Sequence, residues 1–157
     1  MRKRDEVRTK GGIFNIYYGD CKKNLATNLE DTGLLKKGTK GNFVMTPRNG
    51  PSHIGMTSGV QKPGQGMEPH IHPVSDETLL CVKGKGQFYL HDHWIDVREG
   101  DVVFAPAGIK HGSRCLQDSD EALTVVGISC PPQLDLYQKS DYDPNGADED
   151  YEQVYHV

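Results

Sequence analysis

Residues 64–84 read Gly-Gln-Gly-Met-Glu-Pro-His-Ile-His-Pro-Val-Ser-Asp-Glu-Thr-Leu-Leu-Cys-Val-Lys-Gly, and the fold follows from this stretch. His70 and His72 stand two apart. On a β-strand, positions i and i+2 share a face at roughly 6.5–7 Å, close enough for two imidazoles to converge on one metal ion. Glu77 lies an odd number of residues from both histidines, so an unbroken strand aims it at the opposite face. Pro73 removes a ladder donor, and Val74-Ser75-Asp76 can turn the chain. Glu77 can then re-enter on a neighbouring strand facing inward, with Leu79 and Cys81 continuing the same alternation. The stretch reads as one half of a metal site.

A second half lies at residues 100–111, Gly-Asp-Val-Val-Phe-Ala-Pro-Ala-Gly-Ile-Lys-His: an apolar strand, a Pro-Gly turn, then His111. The pattern Gly64-x5-His70-x-His72-x4-Glu77-x6-Gly84, followed by Gly100-x5-Pro106-x-Gly108-x2-His111, resembles the two motifs of the cupin superfamily. One position departs, since Cys115 stands where the family pattern has asparagine. That asparagine is not usually a ligand, so the departure bears on local packing. The resemblance implies an all-β fold, a cupin-type double-stranded β-helix or small jelly-roll barrel with an N-terminal extension. It implies His70, His72, Glu77 and His111 as ligands of one divalent transition metal per chain, with Fe, Mn, Ni, Zn, Co and Cu all open. In the family the carboxylate at this position either ligates or swings off as a base, so Glu77 is expected as both ligand and catalytic group.

Composition agrees with many short strands. The 157 residues suit one domain with a real core, and 18 Gly and 9 Pro supply turns. A net charge of −4 argues against nucleic acid or an anionic membrane as the main partner. No apolar run approaches the ~18–20 residues of a membrane-spanning helix. The basic start, Met1-Arg2-Lys3-Arg4-Asp5-Glu6, has no apolar stretch behind it and is not read as a secretory signal. Cys21, Cys81, Cys115 and Cys130 form no CxxC pair, which points to a reduced, cytoplasmic setting.

Along the chain, residues 1–12 form a basic arm, Ile13–Tyr18 reads as a strand, and Asp20 can cap a short helix over 21–30. Strands are expected at 43–46, 54–60, 67–72, 77–83, 86–91, 94–97, 101–105, 111–115 and 122–128, with turns near Gly84, Asp92, Gly100 and Gly108. From Ser140 the tail carries six acidic residues and no Lys or Arg, and reads as solvated. The division is thus 1–40 arm and helix, 41–130 barrel, and 131–157 acidic tail. No internal repeat is visible, so one cupin unit is expected. Exposed sheet edges and the Ile13–Tyr18 segment point to a homodimer.

Three imidazoles and a carboxylate suit a borderline divalent ion. With four protein ligands, an octahedral ion keeps two cis positions for dioxygen, water or two oxygens of a diol, enediol or small anion. The expectation is a metal-dependent enzyme acting on a small oxygen-rich molecule, first as a dioxygenase. The alternatives are a Zn-, Ni- or Mn-dependent isomerase, lyase or decarboxylase, or a non-catalytic ligand-binding or sensor cupin. Candidate substrate contacts are Glu68, which shares the face of His70 if the strand is regular; Arg48, in a loop after Pro47; Met56, at the mouth with Met45 and Met67; and Phe88, on the apolar face with Gly86 and Leu90. His91 and His93, flanking Asp92 at a hairpin tip, read as surface residues, as do His53 and His156. Cys81 reads as packing rather than as a nucleophile.

Overall fold

The computed structural model describes residues 8–17, 39–47 and 50–132. Within them run nine strands: β1 (Lys40–Met45), β2 (Gly55–Gln61), β3 (Gly66–His70), β4 (Asp76–Lys83), β5 (Lys85–Leu90), β6 (His93–Arg98), β7 (Val102–Ala105), β8 (His111–Arg114) and β9 (Leu123–Cys130). They form two antiparallel sheets, ordered β1-β2-β9-β4-β7 and β3-β8-β5-β6. Only β1–β2 and β5–β6 are hairpins within one sheet; the other six connections cross from one sheet to the other. This is the double-stranded β-helix expected from the sequence.

The period of two decides what faces inward. On β4, Glu77, Leu79 and Cys81 are buried while Asp76 and Lys83 are exposed. Their cross-strand partners on β9 are Ser129, Gly127 and Val125, which therefore share the inner face. Leu79, Cys81, Phe88, Val97, Cys115, Leu123 and Val125 pack into one buried apolar cluster. Nearer the mouth, the buried residues become polar: His72, Glu77, His111 and Ser129. The barrel has an apolar floor and a polar opening.

Turn chemistry sets the register. At the β4–β5 turn Gly84 has φ +82°, and a side chain there would run into the Ala122 carbonyl. Only glycine meets both conditions without strain. The β8 strand, which carries His111, is clamped on its outer face. The Arg114 guanidinium lies 3.9 Å from the centroid of Trp94, and its Nε donates to Gln87 Oε1 at 2.8 Å. The Gln87 amide in turn donates to Asp96 at 2.7 Å. These contacts tie β8 to β5 and β6.

The N-terminal segment departs from expectation. Of the strand expected over 13–18, the described part, 13–17, instead has isolated bridges at Ile13 and Asn15 and a turn at Ile16-Tyr17. The arm over 1–12 is not loose at Arg8, whose Nε donates to the Gly50 carbonyl at 3.0 Å. Ser58, on the outer face of β2, donates its hydroxyl to the Ile16 carbonyl. These backbone acceptors are what an aliphatic reading of the segment misses. The helix expected over 21–30 and the acidic tail lie outside the described residues. No helix among the described residues is long and apolar enough to cross a membrane.

Candidate metal centre

His70 ends β3, His72 stands just beyond it, and His111 opens β8 directly across from His70. A register shift between Met67 and His70 brings this about. Met67 faces inward opposite Ser113, and three residues on, rather than two or four, His70 faces inward opposite His111. Pro69 cannot donate to the ladder, so the extra residue sits where a bulge costs least. Beyond His72 the chain turns back, and the His72 carbonyl accepts from Gly108 N–H at 2.8 Å. The β3–β4 loop is thereby tied to the loop that leads into His111.

The three imidazoles form a nearly equilateral triangle, with centroid separations of 4.8, 4.7 and 4.8 Å. Their ligand atoms all lie within 4.8 Å of one another. Backbone carbonyls two residues upstream set two of the tautomers. His70 Nδ1 is 2.7 Å from the Glu68 carbonyl, and His111 Nδ1 is 2.9 Å from the Ile109 carbonyl. A carbonyl can only accept, so each Nδ1 carries the proton and each Nε2 presents its lone pair to the centre of the triangle. His111 Nε2 is buried and has no hydrogen-bond partner among the described residues.

Burial favours the neutral form of His72 and His111. Burial, followed by repulsion from His70 and His111, pushes His72 down from 6.5 to about 3. Burial also lowers His111, against the opposing hydrogen bond to Ile109. A neutral imidazole is the form that ligates a metal.

A metal ion fits the geometry. His70 Nε2 and His72 Nε2 are 3.1 Å apart. Two nitrogens at ordinary His–metal bond lengths of about 2.0–2.1 Å from one ion, at angles near 90–110°, stand about 2.9–3.4 Å apart. The short separation of the His70 and His72 nitrogens and the buried, orphaned His111 nitrogen both fit a cation between the rings.

Glu77, the expected fourth ligand, lies on β4. It is 4% exposed on the inner face of β4, but it does not join the three-histidine group. Its Oε1 lies against the β9 backbone at Gly127, in the space a side chain there would take, with Thr57 Oγ1 beside it. The three imidazoles form the tight cluster, and the Glu77 carboxylate is buried on β4 outside it.

The expected substrate contacts fare unevenly. Glu68 does not share the inner face with His70; the bulge turns its side chain out to solvent, and its carbonyl orients the His70 ring. Met56 pairs with Ile128 while Thr57 pairs with the inward Gly127, so Met56 faces outward. Phe88 does face inward, but it is 0% exposed within the floor cluster, one inward pair below the level of His111. Arg48 lies outside the described residues. His91 and His93 are exposed at the β5–β6 turn, where His91 has φ 64° and His93 pairs with Asp92 at 2.8 Å.

Cys81 and Cys115 serve packing. Cys81 is buried, and burial, followed by the charges of Asp101 and Glu99, pushes its thiol up to about 11. Cys115, in the position of the family asparagine, is buried and donates its thiol to the Glu121 carbonyl at 3.3 Å. Its backbone pairs with Gln65 and Gly64, so the substituted residue still anchors the turn before β3.

Comparison with known proteins agrees with this architecture. Residues 59–127 match the family described as "Cupin domain". An uncharacterized protein of Aquifex aeolicus (strain VF5) is 35% identical over 63 residues, covering 40% of this chain and 50% of that protein. The chain spans about half the length of the curated relatives it matches. Among solved structures, KdgF from Halomonas sp. superposes with a TM-score of 0.55 at 20% identity, over 64% of this chain and 87% of that one. An RmlC-like cupin from Shewanella frigidimarina NCIMB 400 gives 0.53 at 16% identity, over 64% and 82%. At these identities the structural likeness is one of fold.

Proposed function

We propose that this chain, which belongs to the cupin superfamily, is a metal-dependent enzyme acting on a small oxygen-rich molecule such as an anion, diol or keto-enol. The observation that carries the reading is the set of three converging imidazoles with a buried His111 Nε2 that has no hydrogen-bond partner among the described residues. His70, His72 and His111 hold one divalent transition metal, which when bound supplies a Lewis acid for substrate oxygens and, if redox-active, a route to dioxygen chemistry. Glu68 and Ile109 contribute by fixing the His70 and His111 rings through their carbonyls, and such outer partners commonly matter about 10–100-fold to metal affinity. Glu77 stands on the opposite wall, where it can take or return a substrate proton.

Dioxygenase chemistry is the first assignment. The carboxylate standing apart from the imidazoles favours a second, metal-assisted isomerisation, elimination or decarboxylation, in which Glu77 moves the proton. We also assign a homodimer, because β7 is an edge strand whose Val102 and Phe104 side chains are 58% and 54% exposed, and exposed apolar edges are usually covered.

The test is a turnover screen of the iron, manganese, nickel and zinc forms with hydroxy-ketones, diketones, flavonol-like diols, small dicarboxylates and sugars. Glu77→Gln is run alongside each form. An enzyme loses most of its rate in Glu77→Gln while keeping its metal. If no form turns over any candidate and ligand binding survives Glu77→Gln, the chain is a binding or sensor module instead.

A further inference from the structure

β9 reads Leu-Thr-Val-Val-Gly-Ile-Ser-Cys over 123–130, and its glycine is placed where a side chain would be expected to pack. A glycine inside a central strand weakens it and marks a close approach of some other group. Gly127 lies in the middle of the five-stranded sheet, paired with Thr57 on β2 and Leu79 on β4. It needs no positive φ, since Gly127 is not among the residues with that backbone conformation. Its lack of a side chain therefore serves space, not conformation.

What fills that space is Glu77. Its Oε1 occupies the volume a Cβ on Gly127 would need, and Thr57 Oγ1 borders the same volume 3.0 Å from that Cβ position. Glu77 pairs with Ser129 on β9, so Gly127 is its diagonal neighbour on the inner face. From that Cβ the carboxylate has few places to go. Leu79 is buried below it as part of the floor, and Ala105, its partner on β7, is fully buried on the other side. One open direction is across the barrel, toward the three imidazoles on the facing sheet and its loop.

We infer that Gly127 is the positioning residue that decides whether Glu77 stands off as a base or swings in as a fourth metal ligand: its missing side chain is the notch in which the carboxylate parks. This rests on the metal reading above but extends it, because the role of the carboxylate is assigned to a residue that touches neither metal nor substrate. A methyl group at 127 closes the notch. The far end of a glutamate is flexible, so the side chain moves rather than the backbone, and it moves toward the metal.

The test uses Co(II), whose visible spectrum reports coordination number, with affinity measured by chelator competition on the full chain. Gly127→Ala is expected to bind Co(II) more tightly, by about tenfold, the scale on which a single neighbouring group alters a metal site. Its visible bands are expected to weaken as coordination number rises. The gain vanishes in the double variant Gly127→Ala/Glu77→Gln. In the otherwise unaltered chain, where Glu77 is already parked, Glu77→Gln alone changes affinity less than about threefold, a result that does not depend on Gly127→Ala folding. A purely structural role for Gly127 predicts the opposite sign, a loss of affinity with loosened packing. Unchanged or weaker Co(II) binding by folded Gly127→Ala overturns the inference, as does a large loss in Glu77→Gln alone. A wild-type chain that holds no Co(II) overturns the metal reading and this inference together.

Discussion

Lowering the pH of the metal-free protein should destabilise it, with a share from His72 whose size can be worked out. Its folded pKa is about 3, against an ordinary value of 6.5, because burial and then the neighbouring His70 and His111 oppose its charge. Between those two values the unfolded chain holds a proton that the folded chain does not. Stability therefore rises with pH through this window, is complete above about 6.5, and drains as pH falls toward about 3. At pH 5, some 1.5 pH units below the unfolded value, the loss from His72 is about 2 kcal/mol, at ~1.4 kcal/mol per unit. His111, also lowered by burial, adds in the same direction. Urea unfolding of chelator-treated protein at pH 7.5 and pH 5 measures this; with an m-value of about 2 kcal/mol/M, the midpoint falls by about 1 M. His72→Gln, which cannot titrate, should lose about 2 kcal/mol less than wild type over the same interval. Equal losses in the two proteins would show that His72 is not held neutral by its surroundings.

Three further outcomes follow from the packing. Phe88→Ala should cost about 3–5 kcal/mol in chemical denaturation, because the ring is fully enclosed by the floor cluster; a cost under about 1 kcal/mol would mean that it lies open to the mouth. Gly84→Ala should cost more than about 1 kcal/mol, since it combines a positive φ with a clash against the Ala122 carbonyl, and thermal unfolding that matched wild type would argue against the β4–β5 turn described here. The double substitution His91→Ala/His93→Ala should leave metal content unchanged, and any fall in stoichiometry would bring the hairpin tip into the metal account.

The parts of this fold that were legible in the sequence are those that depend on local periodicity. Alternation on β4 placed Glu77, Leu79 and Cys81 on one face, and the glycines at 84, 100 and 108 marked turns that do adopt positive φ. The convergence of His70, His72 and His111 was readable from spacing and from the resemblance of both motifs, although the inward placement of His70 comes by way of a bulge. Less legible was anything that needs cross-strand register. Face parity on β2 turns Met56 outward, because Thr57 pairs with Gly127, and a single strand read alone does not reveal this. Phe88 was assigned the right face and the wrong depth, since depth depends on which residue of β8 stands opposite. The bulge that expels Glu68 had a visible signal in Pro69. The close approach of Glu77 to β9 had one in Gly127, a glycine in an otherwise apolar strand, but its meaning appears only when β4 is laid beside β9.

The central claim, that three histidines from two distant motifs hold one metal, is tested most directly by elemental analysis of the wild-type and His111→Ala proteins after equal exposure to divalent transition metals and gel filtration. The account predicts about one metal ion per wild-type chain and almost none in His111→Ala, with both proteins folded by circular dichroism. Full occupancy in His111→Ala, or a folded wild-type chain that retains no metal at all, would contradict it.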